Sequence, residues 1–227
     1  MMIGDVDVAG VAALVADESR ARMLDALLDG RALPATQLAA AARTSRPNAS
    51  MHLTKLVGAG LLEVEQQGRH RYFRLASPRV ATALEALAEI APARPPRSLR
   101  DATIGDALSR ARSCYDHLAG RLGVALTDAL LANGVLVNGR EGFEVTPDGE
   151  ARLETFGIGV EALRRRRRAL ARRCLDWSER RHHVGGALGA ALLDRLLELE
   201  WIARRPNTRA LDVTPAGEKH LRAEFGL

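Results

Sequence analysis

The sequence predicts a mainly α-helical chain with small β-hairpins (α+β), and three observations predict it. Residues 35–75 set two short helical patterns and a hairpin pattern at close spacing. Ala91 to Ser98 carries three prolines and no apolar periodicity. Residues 117–218 run through one pattern twice. The expected organisation is a helix-turn-helix unit with a hairpin over 1–90, a stiff proline-rich linker over 91–100, and a C-terminal unit of two duplicated helix/hairpin repeats over 101–227.

The N-terminal elements follow from local chemistry. Ala35-Thr-Gln-Leu-Ala-Ala-Ala-Ala42 reads as a helix and Arg43-Thr-Ser45 as the break after it. The next helix runs from Ser45 to Gly58, with Thr44 or Ser45 able to cap it and Pro47 in its first turn. Leu53, Leu56 and Val57 form its apolar stripe and leave Arg46, Asn48, Ser50 and Lys55 to reach outward. After Ala59-Gly-Leu-Leu62, the segments Leu61 to Glu65 and Arg69 to Leu75 read as strands joined through Gln66-Gln-Gly68. Arg69, His70, Arg71 and Arg74 lie at the tip or on the returning strand.

A polar helix followed by a cationic hairpin is the layout of a winged helix-turn-helix, so the expected partner is double-stranded DNA. Thr44, Ser45, Arg46, Asn48, Ser50, His52 and Lys55 would face base edges and phosphates, and Arg69, His70 and Arg71 the backbone beside the wing. The plainer alternative is a compact domain with solvated basic residues, but it leaves the conjunction of these elements unaccounted for.

Over residues 8 to 90 the chain resembles the ArsR/SmtB group of bacterial repressors. The resemblance is carried by Ala16-Asp-Glu-Ser-Arg-Ala-Arg-Met-Leu-Asp-Ala-Leu-Leu28, Ser50-Met-His-Leu53, Leu56, Ala59-Gly-Leu61 and the Gly68 wing. It implies a homodimeric regulator that leaves its operator when an effector binds, joined through the first helix and the Pro78 to Ile90 helix. Met51 stands where many members carry Arg or Gln. The family's metal box on the first helix of the motif needs cysteines, and Gln37-Leu-Ala-Ala-Ala41 has none. The 78–90 helix has neither cysteine nor histidine, so those two metal sites do not transfer to this chain.

Composition narrows the class further. The chain has 227 residues, 47% hydrophobic and 27% charged, with a formal net charge of +5. It lacks a run of about twenty apolar residues and an N-terminal basic segment followed by an apolar stretch. A cytoplasmic protein with no membrane association is expected, its two cysteines reduced thiols. No P-loop and no Gly-rich dinucleotide turn occurs, and no enzyme is expected.

The C-terminal duplication is read from two alignments. His117-Leu-Ala-Gly-Arg-Leu-Gly-Val-Ala-Leu-Thr-Asp-Ala-Leu-Leu131 parallels His183-Val-Gly-Gly-Ala-Leu-Gly-Ala-Ala-Leu-Leu-Asp-Arg-Leu-Leu197. Val145-Thr-Pro-Asp-Gly-Glu150 parallels Val213-Thr-Pro-Ala-Gly-Glu218. Each repeat reads as a helix, a hairpin through Val135 to Val145 or Trp201 to Val213, and a closing helix capped by Thr with Pro at its first position. The repeat resembles a degenerate winged helix.

Cys114-Tyr-Asp116 precedes His117, and Cys174-Leu-Asp176, with Trp177 following, precedes His183. Each half therefore offers thiol, imidazole and carboxylate to a shared site near a pseudo-twofold axis. Cys114, His117, Cys174 and His183 are the candidate metal ligands, and Tyr115, Asp116, Asp176 and Trp177 complete the candidate effector site. The donor set suits Zn(II) or another thiophilic metal or metalloid. Three other readings stay open: buried structural cysteines with Asp176 paired to Arg180, a thiol redox sensor, and a small-molecule pocket walled by Tyr115, Trp177, Gly120, Gly185 and Gly186. Arg164 to Arg168 reads as a helix with cations all round it, solvated or touching phosphate. The overall expectation is a transcriptional repressor whose DNA affinity answers to an effector at the C-terminal unit. The alternative is an effector-independent regulator whose C-terminal unit serves assembly or partner binding.

Overall fold

A computed structural model of the chain describes residues 6–92, 95–96, 98–206 and 208–227. The chain divides into two compact units, Met1–Leu87 and Ala88–Leu227. Part of the expected linker, at 93, 94 and 97, lies outside the described residues.

In the first unit the helices are α1 (Val8–Ala16), α2 (Glu18–Ala26), α3 (Ala35–Ala41) and α4 (Arg46–Gly58), and α5 (Pro78–Ile90) begins there and ends in the second unit. Asp17 separates α1 from α2: its carboxylate accepts the Arg20 backbone N–H at 2.9 Å and caps α2. The helix-turn-helix break is made by Arg43, whose φ of 52° reverses the chain after α3. Ser45 caps α4 by accepting from the Asn48 amide, and Pro47 occupies the first turn as expected. Met23, Leu24, Leu27, Leu38, Leu53, Leu56, Phe73 and Leu75 form the buried interior.

The wing is a three-stranded antiparallel sheet in the order β1-β3-β2, made of β1 (Leu33–Pro34), β2 (Leu62–Gln67) and β3 (His70–Leu75). The strand β1 has no counterpart in the sequence prediction. Two residues give no periodicity, and its proline is tolerated because β1 is an edge strand. The wing turn is also tighter than the Gln66-Gln67-Gly68 turn predicted. The ladder runs out to Gln67 opposite His70, leaving Gly68 and Arg69 as the loop, with Gly68 at φ 59°.

The second unit begins with α6 (Leu99–Arg110). It continues through β4 (Arg112–Cys114), β5 (His117–Ala119), α7 (Gly120–Ala132), β6 (Leu136–Asn138), β7 (Phe143–Val145) and α8 (Pro147–Thr155). After α9 (Val160–Arg164) the pattern returns as β8 (Arg172–Leu175), β9 (His182–Gly185), α10 (Gly186–Glu198), β10 (Ile202–Arg204), β11 (Leu211–Val213) and α11 (Pro215–Phe225). The duplication is therefore a structural one, and each repeat opens with a hairpin that the sequence reading merged into the following helix. Leu126, Leu130, Leu136 and Leu153 of one repeat share a single core with Leu188, Leu192, Ile202 and Leu221 of the other.

The recurring Val-Thr-Pro-x-Gly-Glu has a packing reason. Thr146 and Thr214 cap α8 and α11, each accepting from the Gly149 or Gly217 amide at 2.9 Å. Their hydroxyls donate back to the carbonyls of Gly134 at 2.6 Å and Glu200 at 2.8 Å. A Cβ at Gly149 would stand 2.2 Å from the Val135 carbonyl oxygen, and one at Gly217 1.9 Å from that of Trp201, so only glycine fits.

The arginine run departs from expectation. Helix α9 ends at Arg164, and residues 165–171 continue as turns and bends before β8. The chain must leave the helix there because Ala169 and Leu170 offer their carbonyls to the first amides of α10, Ala187 and Leu188, at 3.0 and 2.8 Å.

Candidate functional site

The α4 face predicted to meet DNA is open to solvent. Ser45, Arg46, Asn48, Ser50 and Lys55 are exposed, while Ala49, Leu53 and Leu56 anchor the opposite side of the helix. Ser45 is engaged as the cap, and Thr44 is half-buried in the turn. His52 is half-buried, with its Nδ1 3.4 Å from Arg20 Nη1 and 3.8 Å from Asp17. Arg20 also donates to the carbonyls of Leu14 at 2.7 Å and Ala13 at 2.9 Å, so it ties the end of α1 to the base of α4. The sequence reading missed Arg20. On the wing, Arg69, His70 and Arg71 are exposed, and Arg71 lies over the Phe73 ring at 5.4 Å. Arg74 differs from the three, being paired with Glu63 at 2.5 Å.

In the second unit, β4 and β5 set Cys114 opposite His117, and β8 and β9 set Cys174 opposite His183. All four candidate donors stand on strands, which corrects the reading of His117 and His183 as part of the helices that follow them. The first hairpin turns in two residues, Tyr115 and Asp116, with Tyr115 at φ 58°. The two hairpins meet face to face: the Sγ atoms lie 3.9 Å apart and the imidazoles stack at 5.0 Å between centroids. One donor atom from each of Cys114, His117, Cys174 and His183 lies within 4.8 Å of the others, and all four residues are buried.

Glycines of the second repeat make room for this convergence. A Cβ at Gly185 would come within 3.1 Å of His117 Nε2, and one at Gly189 within 3.0 Å of His117 Cβ. The walls first assigned to a small-molecule pocket have other work. Gly120 and Gly186 take φ of 77° and 81° where α7 and α10 begin, closely packed on backbone carbonyls of the preceding segments. Trp177 lies under the Arg112 guanidinium at 4.2 Å and is not among the four donors.

The two aspartates behave differently. Asp116 Oδ1 is 3.2 Å from His117 Nδ1, and its other oxygen holds Arg168 at 2.5 Å. Burial opposes the charge on Asp116, but His117 and Arg168 override it and hold the carboxyl at about 2. Asp176 is fully buried. It forms an ion pair with Arg112 at 2.9 Å and accepts hydrogen bonds from the Gly120 amide at 2.7 Å, Ser178 Oγ at 2.7 Å and the amides of Ser178 and Glu179. Arg112, not Arg180, is its ion-pair partner; the Arg180 guanidinium donates instead to the Glu89 carbonyl. An Arg two residues before Cys recurs at Arg112 and Arg172, a signal in the sequence that the reading did not use.

The donor set fits a thiophilic divalent cation. Two thiols and two imidazoles are a four-ligand set for Zn(II)-like ions. Among the described residues, neither ring nitrogen of His183 meets a hydrogen-bond partner in good geometry, although the side chain is buried, and Nδ1 stops 3.6 Å from Asp176. An orphaned buried imidazole is costly unless something else occupies it. The Cys174 thiol is held far below its usual range by the Cys114 thiol, against desolvation and with help from the two imidazoles.

A family model described as "Helix-turn-helix domain" matches residues 15–65. The uncharacterized HTH-type transcriptional regulator YdfF of Bacillus subtilis (strain 168) is 46% identical over 223 residues, covering 96% of this chain and 99% of its own. The chain belongs to the helix-turn-helix transcriptional regulators. The family match lies within its first unit, and the C-terminal unit lies outside that match. The HTH-type regulator CmtR of Mycobacterium tuberculosis (strain ATCC 25618 / H37Rv) is 42% identical over 76 residues, 34% of this regulator and 64% of CmtR. The solved structure titled as the cadmium metal-sensor CMTR of Mycobacterium tuberculosis is 36% identical, with a TM-score of 0.32. That match covers 41% of this regulator and 100% of the solved chain. These relatives are transcriptional regulators.

Proposed function

We propose that this regulator is a homodimeric, cytoplasmic repressor of operator DNA whose affinity for DNA is set by a thiophilic metal or metalloid held by Cys114, His117, Cys174 and His183. The observation that carries the reading is the convergence of two thiols and two imidazoles within 4.8 Å, from hairpins sixty residues apart in sequence. The cadmium sensor CMTR matches only part of this regulator, so the metal reading rests on the donor set itself. A bound divalent cation would add a further link between the two repeats where Cys114 meets Cys174 and His117 stacks on His183. The residues of the chain do the rest: α4 offers Arg46, Asn48, Ser50 and Lys55 to a major groove, and the wing offers Arg69, His70 and Arg71 to phosphates. Apolar α1, with none of its residues buried, and α5 are the surfaces suited to a second copy.

The test is operator binding by fluorescence anisotropy in metal-free buffer and with added Zn(II) or Cd(II). An allosteric coupling of ordinary size, about 1–3 kcal/mol, changes the affinity by roughly 5–150-fold. The same change should be absent in Cys114→Ser and Cys174→Ser. Equal DNA affinity with and without both metals, together with no metal retained after desalting, would sink the proposal and favour a regulator that needs no effector.

A further inference from the structure

The two halves of the Cys/His cluster are related by duplication, yet their histidines are supported unequally. On the second half, Asp176 spends its oxygens on Arg112, Ser178, Glu179 and Gly120, and stays 3.6 Å from His183. On the first half, Asp116 reaches His117 Nδ1 at 3.2 Å. Its second oxygen is taken by Arg168, the last member of the arginine run, whose side chain is 38% exposed. The stretch that bears Arg168 leads directly into the carbonyls of Ala169 and Leu170, against which α10 starts.

A carboxylate on one imidazole nitrogen fixes the ring's orientation and tautomer and leaves the other nitrogen for a metal. Such outer partners are worth on the order of 10–100-fold in metal affinity. We infer that Asp116 is a positioning residue of the metal site: it steers His117 through Nδ1, and through Arg168 it ties the site to the arginine stretch. This rests on the metal reading above. It assigns Arg168 a task inside the unit, apart from any contact with phosphate, and it makes the first hairpin the adjustable side of the site. Asp176 belongs instead to the fixed side, as part of the buried frame around Arg112.

The test uses Co(II) as a spectroscopic probe of the full chain, with Zn(II) competition to obtain affinities. Wild type is expected to take one Co(II) per chain, with a thiolate charge-transfer band and intense tetrahedral d–d bands. Asp116→Asn should keep that stoichiometry and spectrum while losing affinity on the order of 10–100-fold. Asp116→Glu should recover part of the loss. Arg168→Gln should speed release of Co(II) to a chelator, and Arg165→Gln, outside the pair, should not. If Asp116→Asn and Arg168→Gln bind and release Co(II) as wild type does, the positioning role is wrong while the metal site stands. If wild type takes up no Co(II) and no Zn(II), the metal reading itself falls, and this inference with it.

Discussion

Cys114 Sγ and Cys174 Sγ stand 3.9 Å apart, on two hairpins that belong to different copies of one duplicated unit. Neither hairpin holds two cysteines, so this thiol pair exists only because the repeats pack face to face. A disulfide needs the sulfurs at about 2.05 Å with compatible Cβ positions, a small closure from this separation. In chelator-treated protein, dilute hydrogen peroxide should join the two: each thiol loses its hydrogen, the peroxide O–O bond breaks, and two waters leave. Intact-mass measurement should show the loss of two hydrogens without a change in chain number, and Zn(II) added beforehand should suppress it. Persistence of two alkylatable thiols after peroxide treatment would contradict the proximity.

Arg112 and Asp176 form an ion pair with both side chains fully buried, and Arg112 is stacked on Trp177. Removing one partner strands the other charge in the interior, which costs about 3–5 kcal/mol. Arg112→Ala should therefore lower the unfolding free energy of the full chain by that order, read by urea denaturation. Arg180→Ala, whose side chain does not touch Asp176, should have little effect. Equal losses in the two variants would remove the distinction drawn between them.

Asp17 caps α2, and its carboxyl is held below the usual range by the Arg20 amide, against a smaller desolvation and with the charge of Arg20. The folded-state pKa lies under the unfolded one. The stabilisation is therefore fully present above the unfolded value of about 3.9 and is lost as pH falls through the folded pKa. Asp17→Ala should cost about 1 kcal/mol at neutral pH, Asp17→Ser less. The difference between wild type and Asp17→Ala, read by urea denaturation, should shrink as the pH drops below 4. A constant difference down to acid pH would show that the cap is not what Asp17 contributes.

On the face proposed to meet DNA, Lys55 and Arg71 are exposed, whereas Arg74 is tied to Glu63. Replacing a phosphate-contacting cation reduces the dependence of log affinity on log salt by about one. Lys55→Ala and Arg71→Ala should each do so, and Arg74→Ala should change the slope less. Unaltered slopes in the first two would remove them from the phosphate contacts.

Gly186 takes φ 81°, and a Cβ there would meet the Ala169 carbonyl oxygen at 2.6 Å. The left-handed conformation alone costs an L-residue about 1–2 kcal/mol. Gly186→Ala should exceed that because the contact is with backbone, while Gly58→Ala, with nothing near, should be close to neutral or stabilising. Calorimetry of both variants checks the ranking.

The first unit was largely legible in the sequence because its signals are local. Ser45, Pro47 and the Leu53/Leu56 spacing fix α4 within a few residues, and a glycine marks the wing. What escaped there was non-local: the edge strand Leu33–Pro34, and the reach of Arg20 from α2 to His52. In the second unit, the pairing of His117 with His183 was visible as repetition. The leading hairpins were not, since three-residue strands against an Ala/Leu-rich helix leave no period to read.

The sequence by itself determined the winged helix-turn-helix, the duplication, and the four residues that converge as donors. Repetition and capping are properties of neighbours along the chain. Tertiary structure alone decided that the thiols and imidazoles meet on strands, and that Asp176 serves Arg112. It alone also decided that Asp116 serves His117 and Arg168, and that the arginine run leaves its helix at Arg164. Each of these depends on how two copies of a unit bury their faces against one another. Contacts between copies are chosen by packing and by the need to pair buried charge, and no spacing within one copy records them.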